Sequence, residues 1–204
     1  MPTEIKDSFS IGPKCVIVAD CDLRGEITIG SGTVLQPRCT LLALSGSIIL
    51  GSNNIIEENV VIVNRLKKPL VIGDHNLFQV GARIESPRIG DWNDFGIRSR
   101  TSPHVSIESY CTIGAGCLVL PSPFPSPSAS ASRTEPPQEG GEDLEEISTT
   151  LETLPSNTHV FGSENRRRVN STPGEGTGQG KALFVKHLEY LRETLPRFQK
   201  LRMF

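Results

Sequence analysis

The sequence predicts an all-β chain wound as a parallel β-helix, with one α-helix at its C-terminal end. Three observations carry this: a large apolar residue every six positions, a glycine that often follows it, and a constrained residue four positions on. Ile11, Ile17, Leu23, Ile29, Leu35 and Leu41 are aliphatic without exception. In a chain that is 36% hydrophobic, composition alone gives such a run about 0.2% of the time in a given frame. The phase restarts at Leu50, Ile56 and Ile62, at Ile72, Phe78 and Ile84, and at Ile89 and Phe95. It slips to Thr101 before Ile107, Ile113 and Val119. Gly12, Gly30, Gly51, Gly73, Gly90, Gly96 and Gly114 follow the large residue. The fourth position after it holds mostly small or medium residues, among them Cys15, Cys21, Thr33, Cys39, Asn54, Asn76, Ala82, Asn93, Ser99, Cys111 and Cys117. A period of six does not suit an α-helix, whose period is 3.6, but fits a short strand and a turn. Three such sides close a coil of about 18 residues, and coils stack about 4.8 Å apart. Roughly eighteen hexads therefore give about six coils, a prism near 30 Å long.

Residues 1–120 are assigned to this prism. Two breaks in its phase, Leu44–Ser47 and the charged Asn64–Pro69, read as surface loops. From Pro121 the composition turns to Pro and Ser and then to acid, from Glu139 to Glu146. Such a segment buries too little apolar area to offset its ordering entropy, so 121–149 is expected to be a disordered insertion. Leu154, Thr158 and Val160 return to the hexad phase, which makes 150–165 one last turn of the coil. The polar, Gly-rich stretch 166–181 reads as a flexible linker. Phe184, Leu188, Leu191 and Leu195 form one helical stripe, preceded by Gly180 and stopped by Pro196, so a helix is expected over 182–196. Its stripe needs cover, either a face of the prism or another protein.

Composition narrows the function. The net charge of -2 offers no basic field for nucleic acid or anionic lipid, and no apolar run approaches the roughly 18 to 20 residues that cross a bilayer. With an N-terminus lacking the basic and apolar regions of a secretory signal, a cytoplasmic location is expected. Five cysteines with no Cys-x-x-Cys pair suit a reducing compartment. All five fall in the narrow inward column, where a thiol packs as a small hydrophobe rather than serving a redox or zinc site. Asn54, Asn76 and Asn93 share that column as buried amides stacked in a ladder or set at tight corners. His75, His104, His159 and His187 lie in different segments without the spacing of a metal site. No catalytic, cofactor-binding or metal-binding residue is assigned, and no cofactor is expected. Ser122-Pro123, Ser126-Pro127 and Thr172-Pro173 are proline-directed phosphorylation candidates at Ser122, Ser126 and Thr172.

The hexads Ile29-Gly30-Ser31-Gly32-Thr33-Val34 and Ile113-Gly114-Ala115-Gly116-Cys117-Leu118 resemble the hexapeptide-repeat superfamily. That resemblance implies a left-handed β-helix and brings two enzyme readings as alternatives. Leu23-Arg24-Gly25-Glu26 with Gln36 is similar to elements of its γ-carbonic anhydrase branch, but Leu42, Val80 and Glu85 stand where that branch places zinc-binding histidines. The acyltransferase branch requires a basic histidine, and His75 and His104 are the candidates inside the repeats.

A narrower resemblance rests on three runs: Leu42 to Glu58, Val71 to Gly81, and Cys111 to Cys117. With Leu154-Pro155-Ser156-Asn157-Thr158, Arg167-Arg168-Val169 and the final amphipathic helix, they resemble the dynactin subunit 6 family. The match covers about 9–120 and 151–200, and the insertion at 121–149 departs from it. This resemblance implies a non-catalytic, cytoskeleton-associated subunit of dynactin, the activator of the dynein motor. It further implies a place in the pointed-end complex, beside the sister β-helix dynactin subunit 5 and actin-related protein, with a part in cargo-adaptor selection. The unpaired strand edges at the ends of a β-helix make such a partner plausible, since they must be covered or paired.

Overall fold

The computed structural model describes residues 6–122, 151–170 and 177–204. Parallel strands stack into three faces around one core. The first face comprises Ser8–Ile11, Glu26–Ile29, Ile48–Leu50, Leu70–Ile72, Arg88–Ile89, Val105–Ile107 and Glu152–Leu154. The second comprises Val16–Ile17, Val34–Leu35, Ile55–Ile56, Leu77–Phe78, Asp94–Phe95, Thr112–Ile113 and Thr158–Phe161. The third comprises Asp22–Arg24, Thr40–Ala43, Val61–Asn64, Arg83–Ile84, Arg100–Thr101 and Leu118–Val119. Among the described residues this makes six complete coils and two sides of a seventh.

In-register pairing sets like residue on like. Ile11 faces Ile29, Ile29 faces Leu50, and Leu50 faces Ile72, so each hexad aliphatic stacks on its counterpart in the next coil. Phe78 and Phe95, both fully buried, stack with ring centroids 4.8 Å apart. The glycine after the aliphatic exists for close approach: a Cβ on Gly30 would lie 2.4 Å from the carbonyl carbon of Gly51. The two phase breaks are neighbours at one corner. The buried Asn64 amide ties them, donating to the carbonyls of Ser47 at 3.0 Å and Lys68 at 2.9 Å.

The corner between the first and second faces is built from residues in the left-handed region. Asn53, His75, Trp92, Tyr110 and Asn157 have φ between 56° and 62°, and Gly32 has 67°. A non-glycine residue there costs roughly 1–2 kcal/mol, but the backbone ladder overdetermines the conformation. The amides of Asn53, His75, Trp92 and Tyr110 donate to the carbonyls of Ser31, Ser52, Asp74 and Asp91, all within 3.0 Å. No β-branched residue occupies this column, as its sterics require.

Beyond the coils the chain differs from the expectation at three points. Within the 166–181 span read as a linker, Arg166–Val169 is a strand, antiparallel to Thr158–Phe161 and extending the second face. The intervening turn uses Gly162 and Asn165, both at positive φ, with the Asn165 amide donating to the Gly162 carbonyl at 3.1 Å. A run of arginine reads as solvated chain, yet an edge strand tolerates and even favours charge. The helix, expected over 182–196, spans Thr177–Phe198. Pro196 does not stop it, because a proline in the last turn removes only the hydrogen bond to residue 192. The Gln199 amide still reaches the Leu195 carbonyl at 2.8 Å.

The helix lies along the second face. Leu188 and Leu191 are buried against Val16, Val34 and Ile55, with Leu77, Phe184, Leu195 and Leu201 around them. At 1.5 Å per residue its 22 residues reach about 33 Å, the length of the prism. The tail then crosses the first coil: Leu201 bridges Val18 in antiparallel register, and the Arg202 amide donates to the Ile17 carbonyl at 2.8 Å. No described helix is long and apolar enough to cross a membrane.

Candidate functional site

Of the candidate histidines, His75 is engaged in holding the fold. His75 stacks flat on Trp92, ring centroids 4.3 Å apart, and Phe184 of the helix meets both rings edge-on. Its neighbour Asp74 does not orient it: that carboxylate accepts the Ser52 amide at 2.6 Å, while the Asp74 amide donates to Asp91 at 2.7 Å. The His104 amide donates to the Ser102 hydroxyl at 3.3 Å within a turn of the third corner. His159 is exposed on the second face, and His187 lies on the helix near Glu57. Among the described residues no group of three or more His, Cys, Asp and Glu side chains could hold a metal ion. At the anhydrase-like positions, Glu85 pairs with Arg83 at 2.7 Å and Arg65 at 3.6 Å, and Arg24 pairs with Asp22 at 3.0 Å. Leu42 is half-buried on the third face, and Val80 is exposed at a corner.

The inward column has a chemistry beyond small volume. Each thiol donates toward a main-chain carbonyl: Cys15 to Gly30, Cys21 to Gln36, Cys39 to Glu57, Cys111 to Pro155 and Cys117 to Gly162, at 3.0 to 3.5 Å. Thr33 does the same to Gly51 at 3.0 Å. All five cysteines are free, and burial pushes the Cys111 thiol up to about 11. Cys39, with the Cys21 thiol near it and sealed from water, is likewise held far above the ordinary thiol range. The asparagines form a continuous ladder. Asn76 donates its amide at 2.8 Å and its Nδ2 at 3.1 Å to Asn54 Oδ1, Asn93 repeats both bonds to Asn76, and Cys111 donates its amide to Asn93 Oδ1 at 2.7 Å.

The two ends of the prism are built differently. At the N-terminal end, the tail occupies the strand edge at Val18, and Arg202 lies over Phe9 and Phe204 while donating to the Cys21 carbonyl at 2.9 Å. Among the described residues the C-terminal end is only partly closed. From the Arg166–Val169 strand, Arg167 crosses the end of the core to bond Glu152 of the first face at 2.6 Å and the Leu120 carbonyl of the third. Asn165 Oδ1 accepts the Leu118 amide at 2.6 Å. Leu120, Leu151 and Val169 stay 50%, 53% and 55% exposed around this plug. Ser122, beside it, is exposed and its amide donates to the Glu152 carboxylate at 2.5 Å. Ser126, Thr172 and most of the 121–149 insertion lie outside the described residues.

No family model matches the chain. Among curated proteins it is similar to dynactin subunit 6 of Dictyostelium discoideum, at 32% identity over 93% of this chain and 85% of that one. Dynactin subunit 6 of Nematostella vectensis is 31% identical over 80% and 79% of the two chains. The chain belongs to the dynactin subunit 6 family. Dynactin subunit 6 of Danio rerio, 28% identical, aligns over 96% of this chain and 88% of that one. Among solved structures, a putative acetyltransferase of Bacillus cereus covers 92% of this chain and 97% of that one, at 12% identity and a TM-score of 0.40.

Proposed function

We propose that this chain is a non-catalytic structural subunit of dynactin, cytoplasmic and associated with the cytoskeleton. In this reading it sits in the pointed-end complex, beside dynactin subunit 5 and actin-related protein, and supports dynein-based transport and cargo-adaptor selection. The observation that carries the reading is the employment of the chemistry-bearing side chains as structure in a member of the dynactin subunit 6 family. His75 is a stacking platform, Glu85 a salt-bridge partner, and the thiols and asparagines inter-coil hydrogen bonders. A rigid prism with its strand edges confined to two ends is a spacer, and its exposed end is where assembly contacts form. Affinity purification of the tagged chain from its native cell tests the reading: dynactin subunit 5 and actin-related protein are expected in the recovered material, and their absence overturns it. Phosphorylation of Ser122, Ser126 and Thr172, each phosphate adding about -1.5 to -2 charges, belongs to the same proposal as its regulatory arm. Phosphopeptide mapping from dividing cells that finds all three unmodified removes that arm.

A further inference from the structure

We propose that the C-terminal end of the prism is a docking surface for a different chain that presents an acidic strand edge. This deepens the scaffold reading and rests on it. The end supplies three things that such an edge requires.

The first is free backbone. Glu152 donates its amide to the His104 carbonyl and Leu154 accepts the Glu108 amide, both at 3.0 Å, so these two residues face the preceding coil. In a parallel ladder the intervening residue faces the other way, which turns the N–H and C=O of Thr153 out along the open edge. The second is apolar surface: Leu120, Leu151 and Val169 surround the end of the core, each at least half exposed. The third is charge. Val169 and Arg167 stand opposite Thr158 and Val160, the inward residues of the strand below, so Arg166 and Arg168 project to the other side with His159 and Phe161. Among the described residues Arg166 pairs with Glu164, at 2.7 Å, and both arginines are exposed.

The same features exclude a second copy of this chain. Head-to-tail stacking would bring this end onto the first coil, across which the chain's own tail lies: Leu201 pairs with Val18, and Arg202 and Phe204 sit against Phe9 of the first face. A two-fold contact, end against end, would bring the two arginine strands together, and like charges at close quarters repel. The occupant is therefore another chain whose edge bonds Thr153 at the end of the first face and carries Asp or Glu where it rounds the corner to Arg166 and Arg168 at the end of the second. Adding a strand to an exposed sheet edge is an established mode of recognition, with main-chain bonds giving affinity and side chains giving choice.

The test places a photo-crosslinking phenylalanine analogue at Val169 of the full chain in its native cell and maps the cross-linked peptides by mass spectrometry. The expected peptide lies on an Asp- or Glu-rich strand of another chain. Its yield is expected to fall at least tenfold in the Arg166→Glu/Arg168→Glu variant and in Thr153→Pro. The proline removes only an outward N–H, so the ladder to the preceding coil survives, and circular dichroism and thermal midpoint check that both variants fold. Arg197→Glu, on the far end of the helix, should leave the yield unchanged. Cross-links that fall on residues 139–146 of the same chain, on a second copy, or on nothing overturn the proposal, as does a yield indifferent to the three substitutions. Whether the captured chain is a dynactin subunit is read from the same peptides: a non-dynactin acidic edge sustains the docking surface while overturning the scaffold reading.

Discussion

At the level of single residues, stability is concentrated in the narrow column where each coil touches the next through hydrogen bonds inside the core. Asn76 is its centre, fully buried and accepting both the amide and the Nδ2 of Asn93. Asn76→Ala leaves two buried donors without partners, at about 1–3 kcal/mol each. For a chain of this length each kcal/mol lowers the midpoint by roughly 2–4 °C, so calorimetry should show a loss of about 4–24 °C. A midpoint within error of the parent would mean that the ladder contributes nothing. Two carboxylates work in the opposite sense. Burial raises Glu57 and Asp94 above the usual carboxylate range, Glu57 with Glu58 and His187 near it and Asp94 bonded to Gln79 at 2.8 Å. A group whose folded-state pKa is raised contributes most when protonated, and that contribution is lost as pH rises through the folded value. Glu57→Gln and Asp94→Asn keep the accepting oxygen and remove the charge. Both should melt higher than the parent at pH 7 and converge on it below about pH 4, the ordinary carboxylate range. A difference that persists unchanged at low pH would point to packing instead of charge.

At the level of elements, the helix and the second face are fitted to each other by sequence features that are individually plain. Val16, Val34, Ile55 and Leu77 point outward next to the inward Ile17, Leu35, Ile56 and Phe78, giving apolar pairs in four successive coils; at Asp94 and Thr112 the outward residue turns polar. Those pairs mark the face that must be covered, and the stripe Phe184, Leu188, Leu191 and Leu195 covers it. At the edges of this contact Arg192 bonds the Gly32 carbonyl and Asn53 Oδ1, the latter at 2.7 Å, while Lys181 sits over Trp92 and Tyr110. Trp92, the single tryptophan, is thus a reporter of docking. Leu188→Ala with Leu191→Ala should release the helix, shift Trp92 emission to the red, and remove amide protection over 177–198 while the coils stay protected. Unchanged emission would show that the helix is held by other contacts. The hexad register made the coils, the inward cysteines and the asparagine ladder readable, because stacking forces like residues into columns. The outward pairs were equally present in the sequence but look like ordinary strand composition until the inward register is fixed. The hairpin strand Arg166–Val169 was hidden for a different reason: its pairing depends on the turn at Gly162 and Asn165, and three consecutive arginines carry no alternation to betray a strand.

At the level of the whole molecule, the two ends of the prism are unlike, and the difference governs what it can assemble with. A solenoid with two matching open ends would polymerise, since every coil offers the next the same ladder. Here the tail, residues 199–204, blocks that route at the first coil. The Ala19 amide donates to the Lys200 carbonyl and the Arg202 amide to the Ile17 carbonyl, both at 2.8 Å, filling the outward bonds of the strand edge. Once uncovered, the first coil would therefore suit the C-terminal end of another copy in its backbone. Removing residues 199–204 is expected to convert a discrete species into concentration-dependent head-to-tail oligomers, visible as a mass that rises with loading in light scattering coupled to size exclusion. Adding Thr153→Pro to the truncated chain should abolish the growth, because the accepting edge is then blocked at the other end. Oligomers that persist in the double variant would show that they form through some surface other than the coil ends. A truncated chain that stays discrete at every concentration would show that the tail stabilises the first coil without guarding it.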